Sequence, residues 1–140
     1  MRVTTGIYKN RSIKMPAGIR PTQEKTRKAV FDILGDVSGL KFLELFAGSG
    51  AVGLEALSRG AGQVVLVEEK RDCQQAIEAT LKNWGAGDNC VLIGLPVDKA
   101  VQICAKKEKF DIIFLDPPYY QDMAKKALQT LSGCDILRTC

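Results

Sequence analysis

Four apolar runs, at residues 41–46, 63–68, 89–93 and 110–115, alternate with segments of helical periodicity, and this constrains the fold more than any other feature. The runs are almost continuously apolar, so each strand is expected to be buried on both faces. Such strands separated by helices specify a parallel sheet with helices on either side, a doubly wound α/β architecture. The helical segments are legible individually. Thr22, after Pro21, is placed to cap a helix that runs to about Leu34 and stops at Gly35, with Val30, Ile33 and Leu34 as its apolar face. A second helix ends at Gly60. In the third, Cys73, Ala76, Ile77, Thr80, Leu81 and Trp84 share one face, and Gly85 ends it. Val97, Ala100, Val101 and Cys104 share a face of the fourth, and a fifth helix is expected over about 121–131.

The ends are read differently. Residues 1–8 and 11–15 alternate in polarity and predict a β-hairpin turning at Lys9-Asn10, followed by a Gly/Pro connector from Pro16 to Pro21. The whole chain reads as one domain, with the hairpin and connector in 1–20 and the α/β core in 21–140. A fifth strand is expected to begin near Asp135. Four strands make a thin sheet, so the chain is expected to lack further C-terminal strands. It is then expected to be poorly stable alone, or to self-associate through the exposed edge of its fourth strand.

Composition excludes several classes of function. There is no histidine among the 140 residues, which removes Ser-His and Cys-His nucleophiles and any histidine base. The five cysteines form no C-x-x-C pair, so neither a zinc site nor a disulfide framework is expected, and no metal is assigned. Cys73 and Cys104 fall on apolar helical positions and read as small core residues. No apolar run reaches the length of a membrane span, and the N-terminus carries no signal-peptide core, which makes the cytoplasm the default.

Charge is concentrated at one end. Residues 1–28 hold eight bases against the single acid Glu24, a local charge of +7 in a chain whose total is +4. A basic arm on a slightly acidic body points to a polyanionic partner, with Arg2, Lys9, Arg11, Lys14 and Arg20 as candidate contacts. The competing reading is a merely solvated terminus.

Two loops carry the chemistry. In Glu44-Leu45-Phe46-Ala47-Gly48-Ser49-Gly50-Ala51-Val52-Gly53, three glycines satisfy G-x-G-x-x-G between a strand and a helix, and Glu68 ends the next strand. Glycines permit close backbone approach, and a strand-end acid accepts hydrogen bonds from ribose hydroxyls. A pyrophosphate at the helix N-terminus would be repelled by Glu44. A cofactor bearing sulfonium and ammonium groups would not, which favours S-adenosylmethionine. The second loop, Asp116-Pro117-Pro118-Tyr119, leaves the fourth strand at the edge where such sheets bind ligands. Its prolines remove two N–H donors, leaving the Asp116 carboxylate and the Pro117 carbonyl as acceptors suited to an amino group with two hydrogens. Tyr119 adds a face on which a base can stack, worth roughly 1–3 kcal/mol.

Arg20-Pro21-Thr22, the Glu44–Gly53 loop with its Gly53–Gly60 continuation (GLEALSRG), Glu68 and Asp116–Tyr119 together resemble the 16S ribosomal RNA guanine-N2 methyltransferase family over essentially the whole chain. The resemblance implies a Rossmann-like class I methyltransferase fold with S-adenosylmethionine as cofactor. It places the methionine end at Glu44 and the Phe46, Ala47, Gly48, Ser49, Gly50 loop, and the ribose at Glu68. The target guanine amine would lie at Asp116–Tyr119. The hairpin would face ribosomal RNA or the small subunit, with Arg20 and Thr22 near the mouth of the site. Where many relatives have Gly-Asp for the adenine amine, this chain reads Gly94-Leu95-Pro96, which leaves that contact to backbone groups. Two alternatives stand beside this reading: a DNA adenine-N6 methyltransferase, since DPPY serves any exocyclic amine, and an inactive or truncated nucleic-acid-binding module. A dinucleotide oxidoreductase shares the glycine loop but has no role for Glu44 or DPPY.

Overall fold

The computed structural model describes residues 1–18, 24–117 and 121–138. Helix α1 (Glu24–Leu34) leads into four repeats of strand and helix: β1 (Lys41–Leu45), α2 (Ala51–Ser58), β2 (Gln63–Val67), α3 (Arg71–Trp84), β3 (Cys90–Ile93), α4 (Val97–Lys107), β4 (Ile112–Leu115) and α5 (Gln121–Ser132). All strand pairs are parallel, in the order β3-β2-β1-β4. The chain therefore winds outward from β1 through β2 to β3 and then crosses to the other side of β1. This makes a Rossmann-like doubly wound sheet whose direction reverses between β1 and β4, where ligands of such sheets bind at the carboxyl ends of the strands. No helix among the described residues is long and apolar enough to cross a membrane.

Alternation along the strands sends Phe42, Val64, Leu66 and Phe114 to one face and Leu43, Leu45, Val65 and Val67 to the other. The first face is covered by α1, α2 and α3; the second packs against α4, Phe110, Leu131 of α5 and Ile136. β1 and β2 are buried almost throughout, whereas β4 is half-buried along its length. Beyond α5, Leu137 forms a parallel bridge to Phe110, so the segment near Asp135 begins to pair beside β4 as expected.

Helix α2 is buried at all eight positions, Glu55 and Ser58 included. A helix enclosed on every side needs a cover on its outer face. The N-terminal segment and α1 supply it. Thr4 donates its backbone N–H and its hydroxyl to Glu55 Oε1, both at 2.9 Å, and Thr5 N–H reaches Glu55 Oε2 at 3.2 Å. Ile7 N–H donates to the Ser58 carbonyl, and the Ser58 hydroxyl donates to the Thr5 carbonyl. At Gly6 (φ +97°) a Cβ would sit 1.9 Å from the Ser58 carbonyl oxygen, so only glycine permits this approach.

These contacts correct three expectations. The pairing in the terminal hairpin is short, joining Arg2 to Ser12, and residues 4–10 form a broad turn rather than two long strands. The backbone donors of Thr4, Thr5, Ile7 and Tyr8 are committed to α2, leaving none for a cross-strand ladder. The buried face of α1 is Arg27 and Phe31, while Ile33 is 85% exposed. Phe31 stacks on Phe42 at 6.2 Å, and Arg59 lies over the Phe31 ring, which fixes the helix rotation. Finally, Arg27 is not part of the basic surface: it is fully buried and paired with Glu55 at 3.3 Å.

Candidate active site

β1 exits through a loop in which Phe46 (φ +55°), Gly48 (φ +60°) and Gly50 (φ +75°) all take left-handed backbone conformations. The Ala47 N–H donates to the Val67 carbonyl and extends the β1–β2 ladder by one residue, while the Gly50 N–H turns back to the Ala47 carbonyl. Ala47 and Ser49 are buried and Gly50 caps α2. The third glycine of the motif has a packing role. A Cβ on Gly53 would lie 2.3 Å from Leu66 Cδ2 and 3.0 Å from Glu44 Oε1, so glycine lets the first turn of α2 rest on β1 and β2.

The two acids singled out in the sequence hold this loop. Glu44 is 4% exposed and accepts the Gly53 N–H through Oε1 at 2.8 Å, capping an open donor in the first turn of α2. Glu68 accepts the Gly48 N–H at 2.8 Å and the Lys70 N–H at 2.9 Å, one on each oxygen. Gln74 of α3, which the sequence reading missed, ties down the exit of β2 by donating to the Glu68 and Glu69 carbonyls.

Register brings a third acid to the same place. Glu44 pairs with Leu66 and Phe114, so Glu68 and Asp116, two residues further along their strands, share its face of the sheet. Burial is the main cause that raises the Glu44 carboxyl from 4.5 to about 8; the Gly53 N–H opposes it, and the charges of Asp116 and Glu68 add to it. Among the described residues no lysine, arginine or terminal amine lies within 4.0 Å of any of these three carboxylates. Such a donor set suits a cationic ligand and rejects a pyrophosphate. The residues present therefore fit S-adenosylmethionine.

Asp116 is exposed at the end of β4 and Pro117 follows it, half-buried. Pro118 and Tyr119 of the same motif, and Thr22 and Arg20, lie outside the described residues. A cavity of about 420 Å³ opens beside the loop, lined by Phe46, Glu69, Pro96, Asp98, Met123 and Lys126 among others. Of its wall, Phe46 and Pro96 of the Gly94–Pro96 segment were named from the sequence; the α5 residues carry no local motif. Arg2, Lys9, Arg11 and Lys14 are all exposed and free of carboxylates within 4.0 Å among the described residues. Residues 5–8 dock at Ser58, the far end of α2 from the loop, which places the turn about 12 Å below the strand ends at 1.5 Å per helical residue.

Comparison with known proteins agrees with this architecture. The family model described as conserved hypothetical protein 95 matches residues 1–139. Over 94% of its length the chain is 38% identical to Bacillus subtilis YlbH, provisionally named an rRNA methyltransferase, and covers 73% of it. It is 33% identical to the Escherichia coli ribosomal RNA small subunit methyltransferase D, covering 94% of this chain and 66% of that protein. A hypothetical protein of Thermus thermophilus superposes with a TM-score of 0.88 at 33% identity, over 99% of this chain and 81% of that one. With its length matched from end to end and its fold shared, the chain belongs to the conserved hypothetical protein 95 family, with ribosomal RNA small subunit methyltransferase D proteins among its relatives.

Proposed function

We propose that the protein is an S-adenosylmethionine-dependent methyltransferase that modifies the exocyclic N2 amine of a guanine in 16S ribosomal RNA. The observation that carries this reading is the convergence of Glu44, Glu68 and Asp116 on one face at the β1/β4 reversal, with no cation beside them among the described residues. The names of the relatives support ribosomal RNA as the substrate.

Glu44 and the Phe46–Gly50 loop hold the methionine end of the cofactor, and Glu68 takes the ribose hydroxyls while keeping its two backbone donors. When bound, the cofactor supplies an electrophilic methyl group on a positively charged sulfur. Asp116 and the Pro117 carbonyl would accept hydrogen bonds from the two N–H groups of the target amine, which would fix its orientation and leave its nitrogen open to alkylation. The amine becomes acidic as it gains carbon, and Asp116 receives its proton without help from a stronger base. Tyr119 stacks on the base and offsets part of the cost of taking it out of its helix. Arg2, Lys9, Arg11 and Lys14 hold phosphates at a distance from the target, so a short oligonucleotide spanning only the site would miss them.

Transfer of labelled methyl to small-subunit particles lacking the modification, followed by nucleoside analysis, tests this directly. N2-methylguanosine is the expected product. Asp116→Ala should lower turnover by at least about a hundredfold while cofactor affinity stays within about tenfold. Full activity in that variant would remove Asp116 from the chemistry.

A further inference from the structure

The three acids of the site differ in how their charge is supported. Glu68 has two backbone donors and Asp116 is open to water, but Glu44 is 4% exposed and has one N–H. The groups facing it are all acidic or neutral among the described residues. Glu68 stands at the end of β2, Asp116 at the end of β4, and the Cys90 thiol on β3, itself pushed up to about 12 by burial and by Glu44. The first turn of α2, Ala51–Leu54, offers only its backbone dipole, and the nearby Glu55 is already neutralised by Arg27 and Arg59.

Resting on the cofactor reading above, we infer that Glu44 is a neutral carboxylic acid in the free protein and releases its proton to solvent as the cationic cofactor enters. Opposite charges are then taken up together, and neither is left buried alone. The demethylated product has lost the sulfonium charge, so it draws the proton away less strongly. Glu44 thereby distinguishes cofactor from spent product by charge, and its reprotonation favours exchange of one for the other.

The direction with pH follows. Glu44 in the free protein titrates near pH 8 and at a lower pH when a cation faces it. Affinity for S-adenosylmethionine should rise by up to about tenfold per pH unit as pH climbs from 6 toward 8, then level off. Affinity for S-adenosylhomocysteine should rise less. Stability of the free protein should move the other way. Between the ordinary 4.5 and about 8 the folded state holds a proton that the unfolded chain has lost, so stability falls as pH rises through that window.

Calorimetry of S-adenosylmethionine binding in phosphate and in Tris, at pH 7 and at pH 9, counts the protons. Close to one proton released per cofactor at pH 7, approaching none at pH 9, is the expected result. Glu44→Gln, which keeps an acceptor for the Gly53 N–H, should release none at either pH. Binding at pH 7 without proton release, or the same count in Glu44→Gln, would overturn the inference while leaving the cofactor reading intact. Absence of binding at every pH would overturn that reading and the inference with it. The pH dependence of urea unfolding gives a readout that needs no ligand: a fall in stability from pH 5 to pH 8 that disappears in Glu44→Gln supports the assignment, and a rise opposes it.

Discussion

Glu44 and Glu55 are both buried, lie on the same side of the sheet and are eleven positions apart, yet their surroundings are opposite. Glu55 meets Arg27 and Arg59, each at 3.3 Å, and three donors from Thr4 and Thr5. Glu44 meets a single N–H and two like charges. Every neighbour of Glu55 is supplied by the fold itself, so its charge is spent on holding the N-terminal segment against α2. Glu44 is left with an imbalance that only something from outside can correct. A buried carboxylate is therefore informative mainly through what fails to surround it.

Removing the better-supported acid should do the greater damage to folding. Glu55→Ala leaves Arg27 buried without a counter-charge and is expected to destabilise the protein by about 3–5 kcal/mol, read from the urea midpoint. A loss below about 1 kcal/mol would mean that water reaches Arg27 and that the two acids are less different than their burial implies. Gly53→Ala tests the neighbour of Glu44. Its Cβ is directed at Leu66 and at the Glu44 carboxylate, and a cost of about 1–3 kcal/mol is expected with a matching loss of cofactor-induced thermal shift. An unshifted melting temperature would show that α2 can lift from β1 freely. The smallest effect belongs to Ile33→Ser, within about 0.5 kcal/mol of the parent, because the Arg27–Glu55 pair turns that residue to solvent. A core-sized loss there would mean that α1 turns a different face to the sheet.

The same contrast separates what the sequence disclosed from what it hid. Strands at 41–45, 63–67, 90–93 and 112–115 were readable because apolar runs between helical patterns have one economical solution, and the buried face of α3 followed from its spacing. Glu44, Glu68 and Asp116 were readable as acids at strand ends beside a glycine loop. Glu55 was not. An acid in the middle of Gly53–Gly60 with Arg59 four residues on reads as a solvated i,i+4 helix pair, and the partners that bury it are 28 and about 50 residues away. One clue was available: α2 is apolar on every side apart from Glu55 and Ser58, so those two polar groups had to find partners inside. Arg27 was hidden for the complementary reason, as one of eight bases in a basic stretch. The rotation of α1 depended on that pair and could not be read without it.

The docking of residues 4–14 has a consequence for the order in which the molecule assembles. Thr4 and Tyr8 bond to Glu55 and Ser58, Lys14 to Thr80, and Trp84 donates to the Ser12 carbonyl while stacking on Tyr8, so each partner lies 50 to 76 residues downstream. During synthesis the segment leaves the ribosome before any of these partners, and its last anchor is not made until α3 is complete. Val3, Ile13 and Tyr8 stay unshielded through that interval, and the closing of these long loops belongs late in folding. The beginning of the chain is thus among the last parts of this face to find its place.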